Sequence, residues 1–206
     1  MIEIEVPESA AALGAVRSLM REFVTWHRER HASDIRLVDS YFDPAAFDAE
    51  LASLPGPYAA PHGRLLLARW QGRDAGCVAL KPLAERGCEM KRMFVPPELH
   101  GRGVGRALAT RLVAEARAAG HTWMRLDTSI RQPEAAGLYR SLGFREVPAP
   151  AGVPGALRDW LIFMQLELSE AAVLSGAWSN DSCTRSSLAR LDPMLPFAAA
   201  ITTPES

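Results

Sequence analysis

The chain has 206 residues, a formal net charge of −1, 48% hydrophobic and 23% charged residues. Such a length suits one domain with a real core. The charge balance excludes a broad nucleic-acid footprint. Three scattered cysteines, Cys77, Cys88 and Cys183, exclude a disulfide scaffold or a zinc site.

Ile2 to Val6 alternates apolar and acidic residues, a short strand pattern. Its acids stand where a secretory leader needs basic residues, and no apolar run approaches the ~20 residues of a membrane helix. A cytoplasmic protein with neither membrane nor nucleic-acid partner is expected. Ser9 can cap a helix running to about Arg30, with Leu13, Val16, Leu19, Met20, Phe23 and Val24 on one face. His31 to Asp43 reads as a polar loop. Asp43 and Pro44 open a second helix that stops before Pro55-Gly56-Pro57. Three strands follow with short turns: Gly63 to Gln71, Ala75 to Leu83 and Cys88 to Val95, an antiparallel meander. A helix begins at Gly103 and closes at Gly120. Then come a strand Trp123 to Asp127, a helix Pro133 to Leu142, a strand Phe144 to Val147, a loop Pro148 to Pro154 and a last strand Trp160 to Leu168. The expected boundaries are a domain over 1–168 and a C-terminal extension over 169–206, flexible or loosely docked. Trp178, Leu195 and Phe197 would anchor that extension if it docks.

The chemistry gathers where the third strand meets the next helix. His100-Gly101-Arg102-Gly103-Val104-Gly105-Arg106 is a glycine-rich turn leading into a helix. Such a turn presents unpaired N–H groups at the positive end of the helix dipole, and glycines let an anion come close. It is a pyrophosphate cradle. A P-loop needs Gly-Lys-Ser/Thr, but Gly105 precedes Arg106-Ala107. The dinucleotide fingerprint needs glycine where Leu108 stands.

This turn resembles motif A of the GNAT acetyltransferases, Gln/Arg-x-x-Gly-x-Gly/Ala, with His100 in place of Gln or Arg. Leu138-Tyr139-Arg140-Ser141-Leu142-Gly143-Phe144 resembles the family's Leu-Tyr-x-x-x-Gly-Phe signature. Leu54 to Tyr58, Gly76 to Leu80 and Cys88 to Arg92 are similar to a bacterial subgroup of unassigned substrate. The resemblance implies a mixed α/β fold: a mostly antiparallel sheet with one splayed parallel pair and helices on both faces. It implies direct transfer of an acetyl group from acetyl-CoA to a primary amine of a small molecule or peptide. The alternative is an acyl-CoA-binding sensor without turnover. Homodimers are common in the family.

The resemblance also implies roles. Glu89 would be the general base, since an alkylammonium with a pKa of ~10.4 must lose a proton before it attacks. Tyr139 would protonate the departing thiolate. The cofactor would lie against Met93, Phe94 and Val95, the turn from His100 to Arg106, Glu134 (where the family often has asparagine) and Tyr139. An N–H near Phe94 or Val95 would polarise the thioester carbonyl.

Each residue also has a plainer reading: Glu89 as a solvated strand residue, Tyr139 as a core tyrosine, Cys88 as a buried structural thiol rather than a nucleophile. Lys91 and Arg92 belong to opposite pleat faces; either one of them faces the acceptor and pairs with a substrate carboxylate, or they sit on a solvated sheet face. Asp34, Asp39, Asp43 and Asp48, near Tyr41 and Phe42, suit a cationic amine or a solvated loop and cap. No metal spacing is present among the histidines.

Overall fold

A computed structural model describes residues 1–169. The proposed anchors Trp178, Leu195 and Phe197, with Cys183, lie outside the described residues.

The three-strand meander forms the centre. Strands β2 (Arg64–Trp70), β3 (Arg73–Pro82) and β4 (Gly87–Phe94) pair antiparallel, and β1 (Ile2–Glu5) adds to β2. On the other side of β4 runs β5 (Trp123–Ser129), parallel to it, followed by β7 (Leu161–Glu167) and the short β6 (Arg145–Glu146). The sheet order is β1-β2-β3-β4-β5-β7-β6. One parallel pair in an otherwise antiparallel sheet is the architecture expected.

Helices cover both faces because strand alternation sends apolar residues to each. On one face Leu66, Val78, Leu80, Met90, Met124 and Met164 pack under α4 (Val104–Ala118) and α5 (Pro133–Ser141). On the other, Leu65, Leu67, Cys77, Ala79 and Phe94 meet α1 (Ala10–Arg30) and α3 (Pro44–Ser53). The caps are the expected ones: Ala12 N–H donates to Ser9 Oγ (3.1 Å) and Ala46 N–H to Asp43 Oδ1 (2.7 Å).

Two helices depart from the sequence reading. The polar stretch after His31 is not a loop but a 3-10 turn, Ala32–Asp34, followed by α2 (Ile35–Tyr41). Trp160 does not start the last strand; it ends α6 (Gly155–Trp160). These short helices have little periodicity of their own. They are held by a small third core of Val38, Phe42, Leu157, Trp160 and Leu161.

Candidate active site

The site begins with a defect in β4. The β3–β4 register shifts between Cys77 and Ala79, and Arg92 opposite takes φ +54°, the left-handed region that residues with a Cβ rarely adopt. A bulge there turns the rest of the strand. The parallel ladder with β5 accordingly stops after Gly87–Trp123, Cys88–Met124 and Glu89–Arg125. Beyond Glu89 the two strands splay, and a gap opens between them.

Arg92 is clamped in this conformation. Its guanidinium makes two hydrogen bonds to Glu50 on α3 (2.8 and 2.5 Å), and Tyr58 Oη donates to the same carboxylate (2.6 Å). Phe42 and Phe47 lie 5.5 and 5.3 Å from the guanidinium carbon. Arg92 and Lys91 both line the neighbouring cavities, but the charge of Arg92 is taken up by Glu50, whereas Lys91 has only the shared Glu89 within 4 Å.

On the α4 side of the splay lies a cleft of about 400 Å³. Its walls include Met93, Phe94, Val95, the turn from His100 to Arg106, Glu134 and Tyr139. Almost every residue expected to touch a cofactor thus meets around one cleft; Arg102 is set slightly back, its guanidinium over Trp70 at 5.4 Å. Gly103 caps α4 with φ +84° and no side-chain hydrogen bond. The first amide of the helix to bond backwards is Ala107, to Gly103 O (3.0 Å), so the earlier amides remain available. A Cβ on Gly105 would come within 3.6 Å of both Leu138 Cδ2 and Met93 Cε, filling the floor of the cleft. An uncapped, basic helix start above an open, glycine-floored cleft fits a diphosphate with a thioester-bearing arm.

His100 does not point into this cradle as a long Gln or Arg would. Its Nε2 lies 2.8 Å from Val95 O and clips the turn to the end of β4. Glu134 sits at the rim, paired with Arg30 Nη2 on α1 (2.7 Å). Arg106 Nη2 donates to Ser141 Oγ (2.9 Å). Trp26, which the sequence reading passed over as a helix residue, also lines the cleft.

A second, smaller cavity of about 80 Å³ lies beyond the splay, sharing Phe23, Met93, Gln132, Ala135 and Tyr139 with the first. Tyr139 therefore stands where the two meet. Burial, with the nearby Asp127 charge, pushes its hydroxyl well above the usual range, so it is protonated at neutral pH. Asp127 walls this second cavity and accepts from Tyr41 Oη at 2.7 Å. Burial raises its carboxyl above the ordinary value, against the opposing charge of Lys91.

Glu89 shares the sheet face of Asp127. Burial would raise its carboxyl, but Lys91, Arg125 and Lys81 outweigh that and hold it below the usual range. Its oxygens lie 3.6 Å from Lys91 Nζ and 3.5 Å from Arg125 Nε. It is a partly buried, ion-paired carboxylate rather than a freely solvated one.

Asp127 is the residue that sequence reasoning missed. Its signal was present: the one carboxylate of the strand Trp123–Ser129 that runs beside the strand of Glu89. The acids picked out instead lie elsewhere. Asp34 pairs with Arg131 (3.1 Å), Asp39 with Arg28 (2.9 Å), and Asp43 caps α3. Cys88 is a structural thiol: burial pushes it up to about 12, and it donates to Trp123 O (3.4 Å). Among the described residues no cluster of three metal-binding side chains occurs, and no helix is long and apolar enough to cross a membrane.

Comparison with known proteins decides the family. The model of the acetyltransferase (GNAT) domain matches residues 61–146. An uncharacterized N-acetyltransferase of Schizosaccharomyces pombe is 36% identical over 127 residues, which cover 60% of this chain and 75% of that one. The chain belongs to the GNAT family. An IAA acetyltransferase of Azospirillum brasilense is 43% identical over 89 residues, 43% of this chain and 58% of that one. A solved acetyltransferase of Salmonella typhimurium with its cofactor acetyl-CoA superposes with a TM-score of 0.60 at 23% identity, covering 82% of this chain and 95% of that one. As a GNAT protein the chain is an acetyl-CoA-dependent N-acetyltransferase whose acceptor is an amine.

Proposed function

We propose that the 400 Å³ cleft holds acetyl-CoA and the 80 Å³ cavity the acceptor, a primary amine of a small molecule or peptide. The observation that carries this division is Tyr139, whose side chain lines both. Acetyl-CoA supplies an activated acyl group. The helix start from Gly103 to Arg106 holds its diphosphate, and the unpaired edge of β4 near Phe94 and Val95 offers N–H to the acyl oxygen. A carboxylate takes the proton of the acceptor ammonium, and the amine nitrogen attacks the acyl carbon. The C–N bond forms as the C–S bond breaks, Tyr139 gives its proton to the leaving sulfur, and the second proton on the nitrogen passes to the resulting phenolate, which leaves a neutral amide and restores Tyr139.

For the base, Glu89 acts through water on the reading taken from the family. A second reading gives the role to Asp127. It walls the acceptor cavity, and burial lifts its proton affinity, whereas three cations lower that of Glu89. We further take residues 1–168 as the catalytic unit, 169–206 as an extension, the protein as cytoplasmic, and a homodimer as its assembly.

The test is calorimetric titration with acetyl-CoA, followed by thiol release with an amine panel. Wild type is expected to bind. Gly105→Glu, which puts bulk and negative charge at the cradle, is expected to lose binding while keeping its thermal midpoint. No binding by the folded wild type would defeat the assignment.

A further inference from the structure

Lys91 carries more charge than its surroundings neutralise. Its side chain is only 11% exposed, yet its nearest carboxylate oxygen is 3.6 Å away, beyond a good hydrogen bond. That carboxylate, Glu89, is shared with Arg125 at 3.5 Å and has Lys81 as a third positive neighbour. Asp127 also feels Lys91, and so does Glu50, which Arg92 already holds. Arg92, next in sequence, is already satisfied by Glu50. Three cations thus face two carboxylates, and a positive charge is in excess even with Asp127 ionised. A nearly buried ammonium whose one carboxylate within 4 Å is shared with another cation is costly unless something binds it.

The position of that ammonium gives the excess a use. Lys91 walls the acceptor cavity together with Asp127 and Tyr139, and it also walls the adjoining recess beside Tyr41 and Glu50. A cation and a carboxylate on one small cavity complement a zwitterion: ammonium toward Asp127, anion toward Lys91. The cavity is small, about 80 Å³, so the two charges it offers lie close together, as they do in an amino acid. Tyr41, Phe42, Phe23 and Trp160 supply apolar wall for a side chain.

We propose that the acceptor is an amino acid or a close analogue, with a carboxylate bound by Lys91. This deepens the acetyltransferase reading and rests on it. A simple alkylamine, or a peptide N-terminus whose carboxyl is an amide, lacks the group that Lys91 is placed to bind.

The experiment compares the common α-amino acids with the amines left when their carboxylates are removed, such as leucine with 3-methylbutylamine and phenylalanine with 2-phenylethylamine. Thiol release gives kcat/KM for each member. At least one amino acid is expected to exceed its amine by roughly tenfold or more, the scale of one charge-assisted hydrogen bond. Lys91→Met should bring that ratio close to one, and Lys91→Arg should keep most of it. Preference for the amine in every pair would overturn the proposal, as would a Lys91→Met variant that lowers both members by the same factor. Acetyl-CoA titration of the same preparation separates two kinds of failure. Absence of binding defeats the acetyltransferase reading itself; binding without turnover of any amino acid defeats only this proposal.

Discussion

Three side chains divide the proton work in this site, and their surroundings set what each can do. Tyr139 is buried, and its hydroxyl is held protonated, which suits a donor. Tyr139→Phe is expected to lower kcat about 10²-fold while acetyl-CoA affinity changes little, since a positioned acid contributes that order; equal loss of both would end the acid role. Asp127 stands at the cavity wall with its proton affinity raised by desolvation, and Glu89 has its lowered by Lys91, Arg125 and Lys81. A base works best with a pKa near the working pH, so Asp127→Asn should cost more in single-turnover rate than Glu89→Gln. The reverse order would return the base to Glu89. The sequence named Tyr139 and Glu89 but not Asp127, because a motif marks a residue by its neighbours in the chain. Asp127 acquires its role from Tyr41, 86 residues away, and from Lys91 across the splay.

At the scale of elements, the gap between β4 and β5 depends on one clamped bulge. Arg92 is held at φ +54° by Glu50 and by two aromatic rings on or near α3. Glu50→Ala leaves a buried guanidinium without its partner. It is expected to destabilise the fold by about 3 kcal/mol or more, read as a lower urea midpoint. It should also reduce turnover, because the bulge opens the gap. Unchanged turnover in the folded variant would show that β4 bends without the clamp. The meander, the glycine turn and α5 were legible in the sequence, since each has a local signal: alternation, turn residues, or a 3.6-residue period. Helices α2 and α6 were not, since seven and six residues carry too little period to read and are stabilised by their contact with each other. The bulge was equally hidden: Lys91 and Arg92 were expected on opposite faces of a regular strand, and the irregularity let both reach the same region.

The whole molecule carries a liability in the acid range. His27 on α1 and His31, which caps it, are buried side by side among Phe23, Trp26, Phe42 and Trp160. His27 Nδ1 and both His31 ring nitrogens have no hydrogen-bond partner. Burial, with the charges of His31, Arg30 and Arg92, lowers His27 to about 3, against 6.5 when free. The folded protein keeps this ring neutral while the unfolded chain protonates it. The stabilisation is therefore full above pH 6.5 and is lost as pH falls toward 3, at about 1.4 kcal/mol per pH unit at most. His27→Leu should flatten the fall of the thermal midpoint between pH 6.5 and 4.5. An unchanged slope would mean that other groups govern the acid limit.

The sequence by itself determined the strands and most of the helices, the anion cradle from Gly101 to Arg106, and the placement of Tyr139 just before a helix end. All of these follow from interactions within a few residues of one another. Only the tertiary structure decided where β4 and β5 part, that Lys91 and not Arg92 carries the available charge, and that Asp127 belongs to the site. Those outcomes depend on contacts between distant segments: a salt bridge from α3 to a strand bulge, and a carboxylate hydrogen-bonded by the last residue of α2. Electrostatics at such a site depend on distance through space, and spacing along the chain does not encode it.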